Sequence, residues 1–456
     1  MDIAKETGME KYLDPRLAVS EAHHASGRPL MPAWKKNLVL VWLSQFFGLT
    51  GFWFAMPFIP YYVQALGATE AGERNMWVTI YSVAGYASVA IFSPIWGSAA
   101  DRYGRKIMLL RANFCNAAII PFMGIVPSLG VLIFLRFLMG VFSGSTTASQ
   151  TLIATGTPPA QRGFAIGLLS SAIYCGTLAG CFLGGVVVDA LGYRASFLIS
   201  GLMFFLAGVI VLVGVKENFQ KPAVATVRKR SPKRFMGIDL RPVRLVGLLL
   251  FLILLMATAR QFDAPFLPLL VQDINGSMTG AATWTGVISG IASLAGLLAG
   301  PLLGWLADKI SAPRVAFFSA VLAGISMIPQ GLAQTMGTLV GARFMMIFFA
   351  GGLDPVFQIW LAKSTPDKIR GVVFGWALTA QCVGWILAAS LSGVIATFIG
   401  LRWIYAGGCF MFFLLVPFIA YASGTLMATQ PHRRSKGKRR DRQARSRRTY
   451  RREGDD

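Results

Sequence analysis

The residues able to do chemistry are ionisable side chains set in otherwise apolar stretches: Arg136, Arg260, Asp263, Arg343 and Asp354. A charge in hydrocarbon is costly, so each must face other protein groups or a water-filled path, where a carboxylate can carry a proton. Asp354 is flanked by Gly351, Gly352 and Pro355. Proline removes a backbone donor and disturbs the carbonyl four residues earlier, here that of Gly351, which loosens a polar segment around the acid. Asp354 is therefore the first candidate for a proton carrier, with a helix-kinking role as its alternative. Arg260 and Asp263 stand three residues apart and so share a helix face. Asp263 is the competing carrier unless a static ion pair with Arg260 holds it. The histidines, His23, His24 and His432, lie in polar ends of the chain, which removes an imidazole relay or a histidine metal site from the apolar stretches. Cys115, Cys175, Cys181, Cys382 and Cys409 lie in apolar stretches without a CxxC pair and read as packing residues.

The elements that position these side chains must cross a membrane. The 456 residues are 55% hydrophobic and 14% charged, with a mean hydropathy of +0.58. A soluble domain carries about 25% charged residues, so this apolar surplus does not fit inside a water-soluble core. It is concentrated at about 37–65, 76–99, 107–126, 129–155, 163–188, 195–215, 244–271, 282–306, 315–333, 337–362, 371–398 and 403–423, twelve spans in all. Each approaches or exceeds the ~20 residues that cross a hydrocarbon core. The fold class expected is an all-α polytopic membrane protein of 12 transmembrane helices. Its parts are a tail over 1–36, six spans over 37–215, a basic linker over 216–243, six spans over 244–423 and a basic tail over 424–456. The first 36 residues lack a basic segment followed by an apolar one, so a cleavable signal peptide is not expected.

The net charge of +23 would suggest nucleic acid on a folded surface, but most of it is local. Residues 216–244 hold nine Lys/Arg against two acids, and residues 423–456 hold twelve against four. Basic runs beside membrane spans mark the cytoplasmic side and attract anionic headgroups. The expected partners are thus membrane lipids and no nucleic acid, with both termini cytoplasmic and the chain a monomer.

The two sets of spans are repeats. Pro57-Phe58-Ile59-Pro60-Tyr61-Tyr62-Val63-Gln64 returns 208 residues later as Pro265-Phe266-Leu267-Pro268-Leu269-Leu270-Val271-Gln272. Thr157, Arg162, Gly167 and Gly192 recur as Thr365, Arg370, Gly375 and Gly400, and Pro94, Asp101, Arg136 and Gly144 recur as Pro301, Asp308, Arg343 and Gly351. Parallel six-span repeats suggest two pseudo-symmetric bundles rocking about a central site.

Between spans 2 and 3 stands Gly97-Ser98-Ala99-Ala100-Asp101-Arg102-Tyr103-Gly104-Arg105-Lys106. It resembles the A motif of the major facilitator superfamily, with Ala99 in place of the usual leucine. The resemblance implies a charge latch formed by Asp101 and Arg105 that favours the outward-facing state. The second copy, Gly304-Trp305-Leu306-Ala307-Asp308-Lys309, keeps Asp308 but not the Gly-Arg pair. Arg136-Phe137-Leu138-Met139-Gly140-Val141-Phe142-Ser143-Gly144 resembles the B motif, whose arginine is associated with proton coupling; a snorkelling interfacial Arg136 is the alternative. In span 5, Gly176, Gly180, Gly184 and Gly185 resemble the C motif of drug:proton antiporters, with Cys181 in place of its proline. Small residues at this spacing let helices approach closely, and they predict packing of span 5 against its symmetry mate, span 11. Asn75-Met76-Trp77 and Gly104–Arg111 are similar to the MdtG-like group of bacterial multidrug transporters.

No Gly-x-Ser-x-Gly, HExxH or Gly-x4-Gly-Lys-Ser/Thr occurs in the chain, so no enzyme and no cofactor is expected, and energy must come from an ion gradient. The resemblance implies export of amphipathic small molecules by proton antiport across a bacterial inner membrane. Uptake of a small polar or anionic metabolite is the alternative, favoured if Arg136, Arg260 and Arg343 converge on one cavity. A scaffold or sensor using the basic tail is the other. Runs such as Phe52-Trp53-Phe54 would suit a promiscuous ligand, although most such residues must face lipid or neighbouring helices.

Overall fold

The computed structural model describes residues 33–217, 240–365 and 370–429. The greater part of the tail over 1–36, of the linker over 216–243 and of the tail over 424–456 lies outside them. Among the described residues nine helical stretches are long and apolar enough to cross a membrane. One of these, Pro159–Gly214, turns at Gly192, whose φ of 80° suits glycine, and so supplies spans 5 and 6. Two shorter helices, Arg105–Met123 and the apolar Val246–Gln261, supply spans 3 and 7. Without water in hydrocarbon a crossing segment must satisfy its own backbone, which is why a glycine-rich chain is helical throughout these stretches.

Spans 1, 4, 7 and 10, related by the repeat, are the broken ones. Span 1 consists of α1 (Ala33–Ala55), one 3-10 turn at Met56–Phe58 and α2 (Ile59–Ala65). Span 2 is α3 (Ala71–Tyr103) and span 3 is α4 (Arg105–Met123). Span 4 is α5 (Leu129–Val141) and α6 (Ser145–Gly156), separated by Gly144 at φ 105°. Spans 5 and 6 are α7 (Arg162–Gly214). Span 7 is α8 (Leu240–Gln261) and α9 (Leu267–Asn275); span 8 is α10 (Ala281–Lys309) and span 9 is α11 (Ala312–Gly331). Span 10 is α12 (Met336–Gly351) and α13 (Leu353–Ser364); spans 11 and 12 are α14 (Arg370–Phe398) and α15 (Trp403–Thr429). The repeat extends to capping. Ser128 caps span 4 by accepting from Val131 N, and Thr335 caps span 10 by accepting from Thr338 N.

The span 5 glycines do not meet span 11. Gly176, Gly180 and Gly184 abut the backbone of span 1 at Phe46, Thr50 and Phe54, and Gly185 abuts Ala282 of span 8. Span 11 repeats this arrangement: Gly384, the counterpart of Gly176, abuts Leu254 of span 7, and Gly393, the counterpart of Gly185, abuts Thr79 of span 2. The symmetry relates two interfaces to each other, and neither glycine row has its mate among its nearest contacts.

The halves join at the end opposite the basic loops. One buried core there mixes Ile59, Tyr62 and Phe197 with Phe262, Phe266 and Ala396, whereas the cores nearer the basic end draw on one half each. Asp189 accepts from Thr283 N (2.7 Å) and Oγ1 (2.5 Å), Gln64 and Gln272 bond to each other at 2.9 Å, and Asn75 Nδ2 donates to Ala396 O at 3.0 Å. Toward the basic end the same helix faces part. Gly286 and Gly296 meet Cys181 and Tyr174 of span 5, but Gly167 and Gly304 meet nothing within 4 Å. Along spans 2 and 11 Thr79 meets Gly393, while Gly97 and Gly375 likewise meet nothing.

Candidate functional site

Between the halves lies a cavity of about 470 Å³, lined by Phe52, Trp53, Tyr81 and Tyr86 from the first and Gln261, Ser289, Ser293 and Trp385 from the second. Arg136, Arg260 and Arg343 all line it. The breaks in spans 1 and 7 and the kinked spans 4 and 10 bring them there: a broken helix exposes polar backbone and side chains only where protein or a cavity receives them.

The ion pairs cross between spans. Arg260 Nη1 donates to Asp354 Oδ2 at 3.0 Å, and Gln381 Nε2 of span 11 donates to Asp354 Oδ1 at 2.7 Å. Arg343 pairs with Asp263. The alternative raised for Asp263, a static pair with Arg260, does not form, because α8 ends at Gln261. The chain then turns, with Asp263 O accepting from Phe266 N and Leu267 N, so the helical spacing between 260 and 263 is lost. The two pairs differ in exposure: Arg260 and Asp354 each keep about a third of their side-chain surface (31% and 30%), whereas Asp263 is fully buried at 0%. Asp263 Oδ1 and Arg343 Nε have no hydrogen-bond partner.

Arg136 is also buried, which overturns the snorkelling alternative. Its guanidinium lies over the rings of Tyr81 (5.3 Å) and Phe52 (5.8 Å), against Gly85, where a Cβ would overlap it. Next to the Asp354 cluster, Gln261 Nε2 donates to Tyr86 Oη at 2.8 Å, a link between halves, and Tyr86 leans on Trp385 at 5.6 Å. Gln381, Gln261 and Tyr86 were not singled out from the sequence; an amide or phenol within a span is the signal that would have found them.

At the basic end Arg105 Nη2 lies 3.3 Å from Asp101, which is largely exposed, and Arg102 stacks on Tyr103 at 5.5 Å. Gly104, with φ 98°, makes the turn into span 3. Glu217, missed in the sequence, accepts from the backbone N of Arg105 (3.0 Å) and Lys106 (2.7 Å), a carboxylate at a helix N-terminus. Lys106 Nζ reaches Leu212 O and Val215 O at the end of span 6. Asp308 lies in α10, but its side chain falls outside the described ones.

A two-bundle helical protein with a central cavity, broken gating helices and one closed end has the architecture of a secondary transporter. The chain belongs to the major facilitator superfamily, whose model matches residues 41–282 and 249–453. It is 30% identical over 394 residues to the multidrug resistance protein MdtG of Proteus mirabilis, covering 85% of this chain and 96% of that one. With MdtG of Enterobacter lignolyticus the identity is 31% over 372 residues, covering 82% and 88%. Among solved structures, the nucleoside transporter NupG (D323A mutant) superposes with a TM-score of 0.69 at 13% identity, covering 85% of this chain and 99% of that chain. A bacterial homolog of the human lysosomal transporter Spinster, inward-facing and occupied, gives 0.67 at 14%, covering 87% and 98%. These two support the fold.

Proposed function

We propose that the protein exports amphipathic small molecules across a bacterial inner membrane in exchange for protons, by alternating access. The observation that carries this is the Asp354 cluster. A part-exposed carboxylate beside a cavity between the two halves is held by Arg260 of span 7 and Gln381 of span 11. Protonating Asp354 removes the charge that holds Arg260, and so loosens the tie between spans 7, 10 and 11; losing the proton restores it. The aromatic cavity wall suits apolar substrate bodies, and the MdtG relatives are named for multidrug resistance. With the basic end cytoplasmic, the structure is inward-facing, and the paired Asp101 and Arg105 stand at that open end, with Asp101 largely exposed. The basic linker and tail meet anionic headgroups, and one chain suffices for the cycle.

Uptake of a small anionic metabolite is favoured by the three cavity arginines. Two of them are already matched by carboxylates, which weakens that reading. The experiment is proton movement in inverted vesicles, read with a pH-sensitive dye while amphiphiles or metabolites are added to wild type and Asp354→Asn. Proton release on adding drugs, lost in Asp354→Asn, is expected. Full coupling in the variant would remove Asp354 from the mechanism, and proton movement with polar metabolites alone would replace export by uptake.

A further inference from the structure

The repeat shows that one buried charge has lost its partner. Arg136 and Arg343 occupy equivalent positions in spans 4 and 10, and both line the cavity. Arg343 is neutralised by Asp263. Shifting Asp263 back by the 208 residues that relate Pro265 to Pro57 lands on Ala55. Ala55 is buried in the same apolar cluster as Tyr81 and Met139, the residues against the Arg136 guanidinium. The acid present in the second half is thus a methyl group in the first. Arg136 takes part in none of the ion pairs among the described residues. Its one hydrogen bond is a 3.5 Å contact from Nη1 to the Met139 thioether, and its Nε has no partner.

A buried guanidinium without a carboxylate is expensive, and two aromatic faces offset only part of that cost. The cavity arginines and their acids leave one net positive charge on the wall, at a planar fork suited to two-point recognition of an anionic group. We propose that Arg136 is an anion subsite: the transported amphiphile carries one negatively charged head, a carboxylate or an equivalent oxyanion, that occupies the place left by the missing acid. The apolar body of the substrate then lies along Phe52, Trp53 and Trp385. This rests on the cavity being the transport site, and it adds a charge requirement that a general drug-export reading lacks.

The test uses the full chain in detergent and two fluorescent probes with one body, dansyl-alanine and its carboxamide, with binding read by energy transfer from cavity tryptophans. In wild type the carboxylate should bind about tenfold more tightly than the amide, the value of one charge-assisted hydrogen bond. Arg136→Gln should bring the ratio to about one, and Arg136→Lys should keep part of it. Ala55→Asp, which restores the acid of the other half, should also abolish the preference while leaving Arg136 in place. A ratio near one in wild type, or one unchanged in Arg136→Gln and Ala55→Asp, would overturn the proposal; a purely structural Arg136 would weaken both probes together and leave the ratio intact. The export reading fails separately. If the carboxylate probe binds through Arg136 but crosses without moving protons, antiport falls and the anion subsite stands; if the amide drives proton release and the carboxylate gains nothing, the reverse holds.

Discussion

Two Arg–Asp pairs flank one cavity, and their surroundings assign them different work. Asp263 and Arg343 are buried, whereas Asp354 and Arg260 stay partly exposed. A buried pair cannot change the charge of one member without leaving the other uncompensated. Arg343→Gln should therefore destabilise the protein by about 3–5 kcal/mol, seen as a large fall in melting temperature in detergent. Arg260→Gln should cost far less, since Asp354 keeps Gln381 and access to water. The double variant Asp263→Asn, Arg343→Gln should recover part of the loss. Equal shifts for the Arg343 and Arg260 variants would show that burial does not separate the pairs. The four side chains are visible in the sequence as charges within apolar spans, but their pairing is not. The spacing of 260 and 263 assumes one continuous helix, and the break after Gln261 turns Asp263 toward span 10 instead.

Helix packing uses glycine for two purposes. Gly176, Gly180 and Gly184 are filled sites, pressed on the backbone of span 1, and a side chain at Gly180 would collide with Thr50 and Trp53. Gly97, Gly167, Gly304 and Gly375 occupy repeat-related positions near the basic end and meet nothing. They lie on the faces of spans 2, 5, 8 and 11 that touch across the halves further along, so they are where those spans must meet when the basic end closes. Gly167→Leu and Gly375→Leu should leave folding and binding from the basic end intact. In the closed state each would add overpacking of about 1–3 kcal/mol, slowing turnover in proteoliposomes about tenfold or more. Gly247→Leu, exposed and away from both interfaces, serves as the control. Wild-type rates in both interface variants would place closure elsewhere. Glycine spacing reveals that some backbone approaches closely; it does not say which one. That is why the span 5 stripe suggested span 11, when each mate packs on span 1 or span 7 of its own half.

At the scale of the molecule, the number of spans and the two-fold repeat were legible because both are written in runs of tens of residues. The conformational state was not, since it depends on contacts between halves separated by about 200 residues of chain. At the closed end those contacts are the shared apolar core and, beside it, polar bonds such as Asp189 with Thr283, Gln64 with Gln272, Asn75 with Ala396, and Tyr61 Oη with Pro268 O at 2.6 Å. Asp189 is the strongest of them, a carboxylate bonded to a backbone N–H and a hydroxyl near the start of α10 in the opposite half. A charge-assisted bond contributes about 1.5–3 kcal/mol where it is shielded and less at this exposed site, so together with the other contacts it biases a two-state equilibrium yet lets it shift during each cycle. Asp189→Ala together with Gln64→Ala should therefore shift the population toward a form open at that end. Spin labels at Glu70→Cys and Ser277→Cys, both exposed and on opposite halves, report it in a chain whose native cysteines are replaced. One short distance is expected before the two alanine substitutions, with a second, longer distance populated after them. An unchanged distribution would mean that the shared apolar core around Phe262 and Phe197 closes this end without help from the polar contacts.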